Sequence, residues 1–345
     1  MIDGSIKQAI AKAVEYAHPF YAYRLPGSDN VIFRAEGNAA DAQEVFVVHP
    51  FAVDAPSRII NGNMSADEFI DAEININNDI ITASNSTATK EEYIEIINST
   101  VARIKSGAMQ KAVISNTKII DNRLSSEQWA DAFAELCIKY PNAFVSFFYS
   151  KSTGFWIGAT PEVLVNATGT VFTTMALAGT KLSNPPSEWG KKEIEEHRFV
   201  CTYIENILNE SNIKFECTPV FTKNAGHIDH LCKQYTCKCR EFSGIKSLLE
   251  TLHPTPALCG LPFSESYNFI NFTEKHDRRL YCGYIGPMVD GFSMNIFVNL
   301  RCIQFDRKHI CLYAGGGITC DSIPENEWIE IENKMNTTLK IINKL

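Results

Sequence analysis

The sequence predicts an α+β fold in which large antiparallel sheets are flanked by helices. Two observations carry this. Between residues 143 and 180 four extended segments follow one another with only short turns: AFVSFFYS (143–150), GFWIGAT (154–160), EVLVNATG (162–169) and TVFTTMALAGT (170–180). Aromatic and β-branched residues joined this tightly make an antiparallel meander, not a βαβ alternation. Elsewhere, apolar residues recur at helical spacing in well-separated segments. The length, 345 residues with 45% of them hydrophobic, suffices for one large core, and residues 1–345 are read as a single domain.

The elements follow in order. MIDGSIKQAIAKAVEYA is an amphipathic helix and not a signal peptide: Ile6, Ile10, Ala13, Val14 and Ala17 share one stripe, with Lys7, Lys12 and Glu15 between them. ASNSTATK (83–90) is a loop before a helix at 91–106, and the alternation of MQKAVISNTKII (109–120) marks a strand. A helix at 125–139 precedes the meander. After it come a helix from about Pro186 to Ser211, strands near 214–222 and 232–240, and a helix at 243–252. Strands at 279–288, 292–303 and 308–315 lead to a final helix from Ile323. Ser322-Ile323-Pro324-Glu325 reads as its capping box, with Ser322 as N-cap.

Composition excludes several classes. A net charge of −8 without a long basic run makes a poor nucleic-acid binder. No stretch of about 18 apolar residues exists to cross a membrane. Eleven cysteines, scattered and odd in number, read as reduced thiols of a cytoplasmic protein and not as a disulfide framework. Cys232, Cys237 and Cys239 lie near His227 and His230, but C-x4-C-x-C is not a usual zinc spacing, and Cys237 and Cys239 alternate as in a strand.

Two helices carry paired glutamates. In the last helix Trp328, Ile331, Met335, Leu339 and Ile342 form the core stripe, and Glu327, Glu330 and Lys334 lie at its edge. In KKEIEEHRFVCTYIENIL, Ile194, Cys201, Ile204 and Leu208 mark the core, and Glu193 and Glu196 share a face. Brought together, four carboxylates would repel and call for a cation, and oxygen-only ligands suit Mg²⁺. A glutamate-rich helix is equally what a solvated face looks like. Before the last helix, AGGGITC lacks the ending of a phosphate loop. Glycines between a strand and a helix offer backbone N–H groups to an anion, or simply make a tight turn.

QKAVIS (110–115), GATPEVLV (158–165), MALAGT (175–180), KKEIEEH (191–197), HPTPALCGLP (253–262), RRLYCGYIG (278–286), LRC (300–302) and AGGGITCDSIPENEWIEIENK (314–334) resemble, in this order, motifs of the chorismate-utilising enzymes. These are the isochorismate, salicylate, anthranilate and aminodeoxychorismate synthases. The resemblance covers residues 100–342 and is greatest to isochorismate synthases of menaquinone or siderophore pathways; residues 1–95 diverge. It implies the chorismate-binding fold of anthranilate synthase component I and chorismate as substrate. It also implies Mg²⁺ held by Glu196 and Glu330, with Glu193 and Glu327 direct or through water. Arg301, Lys334, Gly315, Tyr281, Gly179 and Thr180 would then contact substrate. Lys111 would be the base that activates water, and Glu162 the acid that protonates the leaving hydroxyl. Taken alone, Lys111 reads as a surface lysine on a strand and Glu162 as a turn residue.

Ala178 stands where aminodeoxychorismate synthases typically have a nucleophilic lysine, which leaves room for water or ammonia. No L-L-E-S motif of anthranilate synthases is found in residues 1–100, and the expectation is a monomer without a glutaminase subunit. Many relatives carry Arg five residues after the base lysine; here it is Asn116. His253 precedes Pro254 and is expected to shape the substrate pocket, and His230 to be a structural histidine.

Overall fold

The computed structural model describes residues 2–37, 43–185, 188–224 and 228–342. In chain order the strands are β1 (Phe20–Arg24), β2 (Val31–Ala35), β3 (Val45–His49), β4 (Arg58–Asn61), β5 (Lys111–Asp121), β6 (Phe144–Ser150), β7 (Gly154–Thr160), β8 (Val163–Thr168) and β9 (Val171–Leu182). They continue with β10 (Phe215–Cys217), β11 (Phe221–Asn224), β12 (Ile228–Lys238), β13 (Gly260–Leu261), β14 (Tyr284–Val289), β15 (Ser293–Val298), β16 (Cys302–Phe305) and β17 (His309–Ile318). The helices are α1 (Gly4–Tyr16), α2 (Ala66–Asp71), α3 (Lys90–Lys105), α4 (Ser126–Lys139), α5 (Lys191–Glu210), α6 (Phe242–Leu252), α7 (Phe263–Thr273) and α8 (Pro324–Ile342).

The strands form two antiparallel sheets, one ordered β13-β5-β17-β16-β7-β6-β1-β2 and the other β10-β12-β9-β8-β15-β14-β3-β4, with β11 also on β12. Aromatic side chains join their inner faces. Phe144 of β6 stacks on Phe297 of β15 at 4.1 Å, and Phe148 meets Phe46 of β3 at 5.2 Å. Helices cover the outer faces, and Trp129 of α4 stacks on Phe305 of β16 at 3.7 Å. Stacked and tilted ring pairs each add about 0.5–1.5 kcal/mol beyond the area they bury.

The expected meander is two hairpins in different sheets. β6 pairs with β7 in the first sheet and β8 with β9 in the second, and the chain crosses over at Pro161-Glu162. The segment expected as one strand at 292–303 likewise splits into β15 and β16, one in each sheet. Because β7 lies beside β16 and β8 beside β15, both crossings occur at one place. The strand expected at 279–288 begins only at Tyr284; Arg279 and Cys282 before it have φ of +51° and +63°, a turn geometry.

Local chemistry sets the helix ends. Thr89 and Ser125 cap α3 and α4 as capping boxes with Glu92 and Gln128. Lys12 of α1 donates to the carbonyls of Phe69, Ile70 and Ala72 where α2 ends. α8 begins at Pro324, so Ser322 is not the expected N-cap; its hydroxyl accepts from the Thr319 amide instead. α5 begins at Lys191, and the expected start at Pro186 lies outside the described residues. Ile194 is 52% exposed, so the core stripe of α5 is His197, Val200, Ile204, Ile207 and Leu208.

Candidate active site

The cavity lies where the sheets part. Its walls include Glu162 at the first crossing and Leu300-Arg301 at the second, with Ala178, Gly179, Thr180, Glu196, His230, Tyr281, Tyr313, Gly315, Gly317, Glu330 and Lys334. Counted to its open mouth it holds about 730 Å³. Nine of the twelve residues singled out from the sequence line it; Lys111, Glu193 and Glu327 do not.

The glycines expected as a loop are strand residues. Gly315, Gly316 and Gly317 of β17 pair with Ser115, Ile114 and Val113 of β5. The Ser115 amide donates to Glu274 Oε1 and the Val113 amide to the Cys259 carbonyl. Those two pairs are therefore the non-hydrogen-bonded ones of the ladder, and the Gly315 and Gly317 backbone groups point away from β5. β16 pairs β17 only up to Leu312, so that edge is open beside the glycines. The free N–H groups expected of a loop would thus come from an unpaired strand edge.

Side-chain crowding explains the glycines. A Cβ on Gly317 would lie 1.9 Å from Glu196 Oε1 and 3.0 Å from Lys111 Cε. On Gly316 it would lie 3.3 Å from Glu327 Oε2 and 3.6 Å from Glu330 Oε1.

Lys111 opens β5 and is fully buried, with Nζ 3.0 Å from Glu196 Oε1. The approach is off-axis, so Nζ is left without an aligned hydrogen bond. Ser266 Oγ donates to the Lys111 carbonyl at 3.0 Å, which fixes its backbone. Gly260 backs onto that carbonyl so closely, at φ +149°, that any Cβ would sit 2.3 Å from it. Glu162 is 5% exposed, and burial raises its carboxyl to about 8 against the pull of Lys223 and Lys111. The corner position supplies that burial.

A bulge delivers Gly179 and Thr180. The β9–β12 register shifts between Asp229 and Leu231, and Gly179 has φ +73°. His230, facing the bulge, lies 2.9 Å through Nδ1 from the Gly179 carbonyl and 3.4 Å through Nε2 from Arg301 Nη2. A guanidinium only donates, so Nε2 accepts and the proton sits on Nδ1. Burial, then Arg301, lower this histidine to about 3, which keeps it neutral. Arg301 holds φ +50° at the crossing, a strained backbone for a non-glycine residue. Thus His230 is the structural histidine expected, and it ties the Gly179 bulge to Arg301 in the cavity wall. The alternation of IDHL gives no signal of this tie beyond a strand position. Tyr313 was missed; its ring stacks on Tyr281 at 5.5 Å.

The glutamates are only partly gathered. Glu196, Glu327 and Glu330 approach Gly316-Gly317, whereas Glu193 Oε2 lies back over Gly190, the N-cap of its own helix. Each of the three meets a lysine: Lys111 at Glu196, Lys192 Nζ donating to Glu327 Oε1 at 2.5 Å, and Lys334 Nζ donating to Glu330 Oε1 at 2.7 Å. Lys334 also donates to the Gly315 carbonyl at 2.8 Å. Burial, and repulsion from Glu330, push Glu327 up despite Lys192. Burial also opposes ionisation of Glu330, but Lys334 and then Lys192 outweigh it and hold this carboxyl below the usual range.

Carboxylate oxygens are the donors a hard cation takes. Glu327 is 2% exposed and its Oε2 is buried without an aligned hydrogen bond, the Ser322 hydroxyl being the nearest side-chain donor to this carboxylate besides Lys192. The small Gly316 leaves room beside it. Among the described residues, however, no three acidic, histidine or cysteine groups stand close enough to hold a metal ion as they are.

Other expectations resolve outside the cavity. Asn116 donates to the Ala88 carbonyl and accepts from the Ala88 amide, which pins the chain entering α3. His253 does not shape the cavity; it packs against His49 and Tyr284, with Nε2 3.2 Å from the Pro50 carbonyl. Cys232 and Cys237 are buried core residues of β12, and His227 lies outside the described residues. No described helix is long and apolar enough to cross a membrane.

Comparison with known proteins agrees. Isochorismate synthase MenF of Haemophilus influenzae is 26% identical over 257 residues, 72% of this chain and 59% of that protein. Isochorismate synthase EntC of Escherichia coli is 29% identical over 200 residues, 54% of this chain and 51% of that protein. Anthranilate synthase component 1 of Lactococcus lactis is 26% identical over 270 residues, covering 74% and 58%. The matches to MenF of Haemophilus influenzae and of Pasteurella multocida span 59% and 62% of those proteins' length, so the chain spans about three fifths of these relatives. The fold is that of menaquinone-specific isochorismate synthase MenF from Escherichia coli, with a TM-score of 0.81 at 19% identity over 99% of this chain and 91% of that one. Anthranilate synthase component I from Streptococcus pneumoniae matches with a TM-score of 0.67 at 15% identity, over 94% and 91%. The model of the chorismate-binding enzymes matches residues 58–343, and the chain belongs to that family.

Proposed function

We propose that this chain is an Mg²⁺-dependent isochorismate synthase, acting on chorismate as a single subunit and supplying menaquinone or siderophore synthesis. One observation carries the reading: a carboxyl raised to about 8, Glu162, shares a narrow cavity with the cations Arg301 and Lys334, with Lys111 just behind its wall. A dianionic substrate needs the cations. A hydroxyl leaving group needs the protonated acid.

Water adds at C2 of the ring, the two ring double bonds shift, and the C4–O bond breaks. Lys111 takes the proton of the attacking water and Glu162 gives its proton to the departing hydroxide. One water enters and one leaves, so the product is an isomer. A free Lys111 amine requires that Glu196 be engaged elsewhere. Mg²⁺, bound by Glu196 and Glu330 with Glu193 and Glu327 direct or through water, would supply the charge that lets a carboxylate lie among carboxylates. Arg301 and Lys334 orient the substrate carboxylates, the Gly315 and Gly317 edge offers N–H donors, and Gly179, Thr180 and Tyr281 line the ring. Ala178 offers no amine, which argues against a lysine nucleophile and leaves room for water or ammonia.

The test is incubation with chorismate and Mg²⁺, with products separated and identified by mass and ultraviolet spectrum. A product of chorismate's mass with a shifted spectrum supports the reading. Salicylate with pyruvate would make the chain a salicylate synthase, and product only with ammonia would make it an anthranilate synthase. No product with any of these would leave a chorismate-binding protein without turnover.

A further inference from the structure

Lys192 has no duty in the reaction, yet it sits in the glutamate cluster. It occupies the first turn of α5, where a positive charge faces the positive end of the helix dipole. The helix gains nothing from it there, and Gly190 supplies no side-chain cap. Its side chain is 24% exposed, and its ammonium lies on Glu327 Oε1, the carboxylate whose other oxygen is buried without an aligned hydrogen bond. Glu330 and Glu196 lie within range of the same charge. Lys334 and Lys111 differ, since the first also holds the Gly315 carbonyl and the second belongs to the proposed chemistry.

We propose that Lys192 is a tethered counter-cation: it neutralises the glutamate cluster in the metal-free protein and must leave Glu327 before a divalent cation can bind. A buried carboxylate without a partner is costly, so something must hold Glu327 when metal is absent. A long, partly exposed lysine is suited to this, because its head can swing into water without disturbing the fold. Like charges cannot share Glu327, so the ammonium and the metal exclude each other. The proposal rests on the reading that these glutamates hold metal.

The test is Mg²⁺ binding by calorimetry and by thermal shift, on wild type, Lys192→Met, Lys192→Gln and Lys192→Arg. Both neutral variants are expected to melt below wild type without metal and to gain more from Mg²⁺. Their Kd should be at least tenfold tighter, and Lys192→Arg should track wild type. Lys192→Gln covers the case in which Lys192→Met does not fold. Equal or weaker Mg²⁺ binding by the neutral variants overturns the proposal and leaves Lys192 as a tie between α5 and α8. Glu330→Gln separates this from the metal reading. If wild type does not bind Mg²⁺, or binds it as Glu330→Gln does, the glutamates are not the metal site and both readings fall.

Discussion

Replacing Glu162 with Gln should disable turnover and at the same time stabilise the protein at alkaline pH. The buried carboxyl is raised from 4.5 to about 8. The folded chain therefore holds its proton more tightly than the unfolded chain does. This preference favours folding fully below about pH 4.5, and it is lost as pH rises to about 8. At about 1.4 kcal/mol for each pH unit, the swing is roughly 5 kcal/mol, an upper figure because water entering the cavity would relax it. Glutamine has nearly the same shape and no charge to bury. Urea unfolding from pH 5 to 8.5 should show the Glu162→Gln advantage over wild type growing by about 1 kcal/mol per unit and levelling off above about 8. Its turnover should fall by about 10²- to 10⁴-fold, the usual worth of a general acid. In wild type, turnover should decline above pH 8 as the acid loses its proton. A stability difference flat with pH would refute the burial argument, and turnover within a few-fold of wild type would refute the assignment of the acid.

Lys111→Met should retain chorismate binding, measured by fluorescence or calorimetry, while turnover drops by about 10²-fold or more; near-normal turnover would remove it as the base. Gly317→Ala should lose activity and metal response together, since the added methyl would stand 1.9 Å from Glu196 Oε1, and an unchanged variant would contradict the packing described. Glu274→Ala should destabilise the fold by about 3–5 kcal/mol in denaturant. It strips Arg278 of a partner at 2.6 Å within a buried pair that also holds the Ser115 amide and the Val113 carbonyl.

The elements themselves were legible, because periodicity and capping are local. The helices at 91–106 and 125–139 fall within a residue of α3 and α4. The path between sheets was not. β7 and β8 read as consecutive strands, and alternation is the same whether a strand continues in its sheet or crosses to another; Pro161 was the one hint. Yet that crossing buries Glu162 and brings Arg301 beside it. The glycine run was read as a loop because glycine marks turns. Here cross-strand pairing wins, and glycine is needed because Glu196 and Lys111 crowd Gly317 and Glu327 and Glu330 crowd Gly316. Ile194 shows the limit of periodicity, since a helix over an open cleft leaves part of its apolar stripe uncovered. Glu193 was placed with the other glutamates by spacing alone, but the N-terminus of α5 competes for it. The set of site residues was reached through ordered motifs and not through any single residue's chemistry.

The most direct test of the water-addition account is turnover of chorismate in ¹⁸O-water with Mg²⁺, followed by mass analysis of the product. The account predicts an isomer of chorismate that carries one ¹⁸O atom, at the C2 hydroxyl, and released water that carries the old C4 oxygen. An unlabelled isomer would mean that the hydroxyl migrates without leaving the substrate, and the division of labour between Lys111 and Glu162 would be wrong.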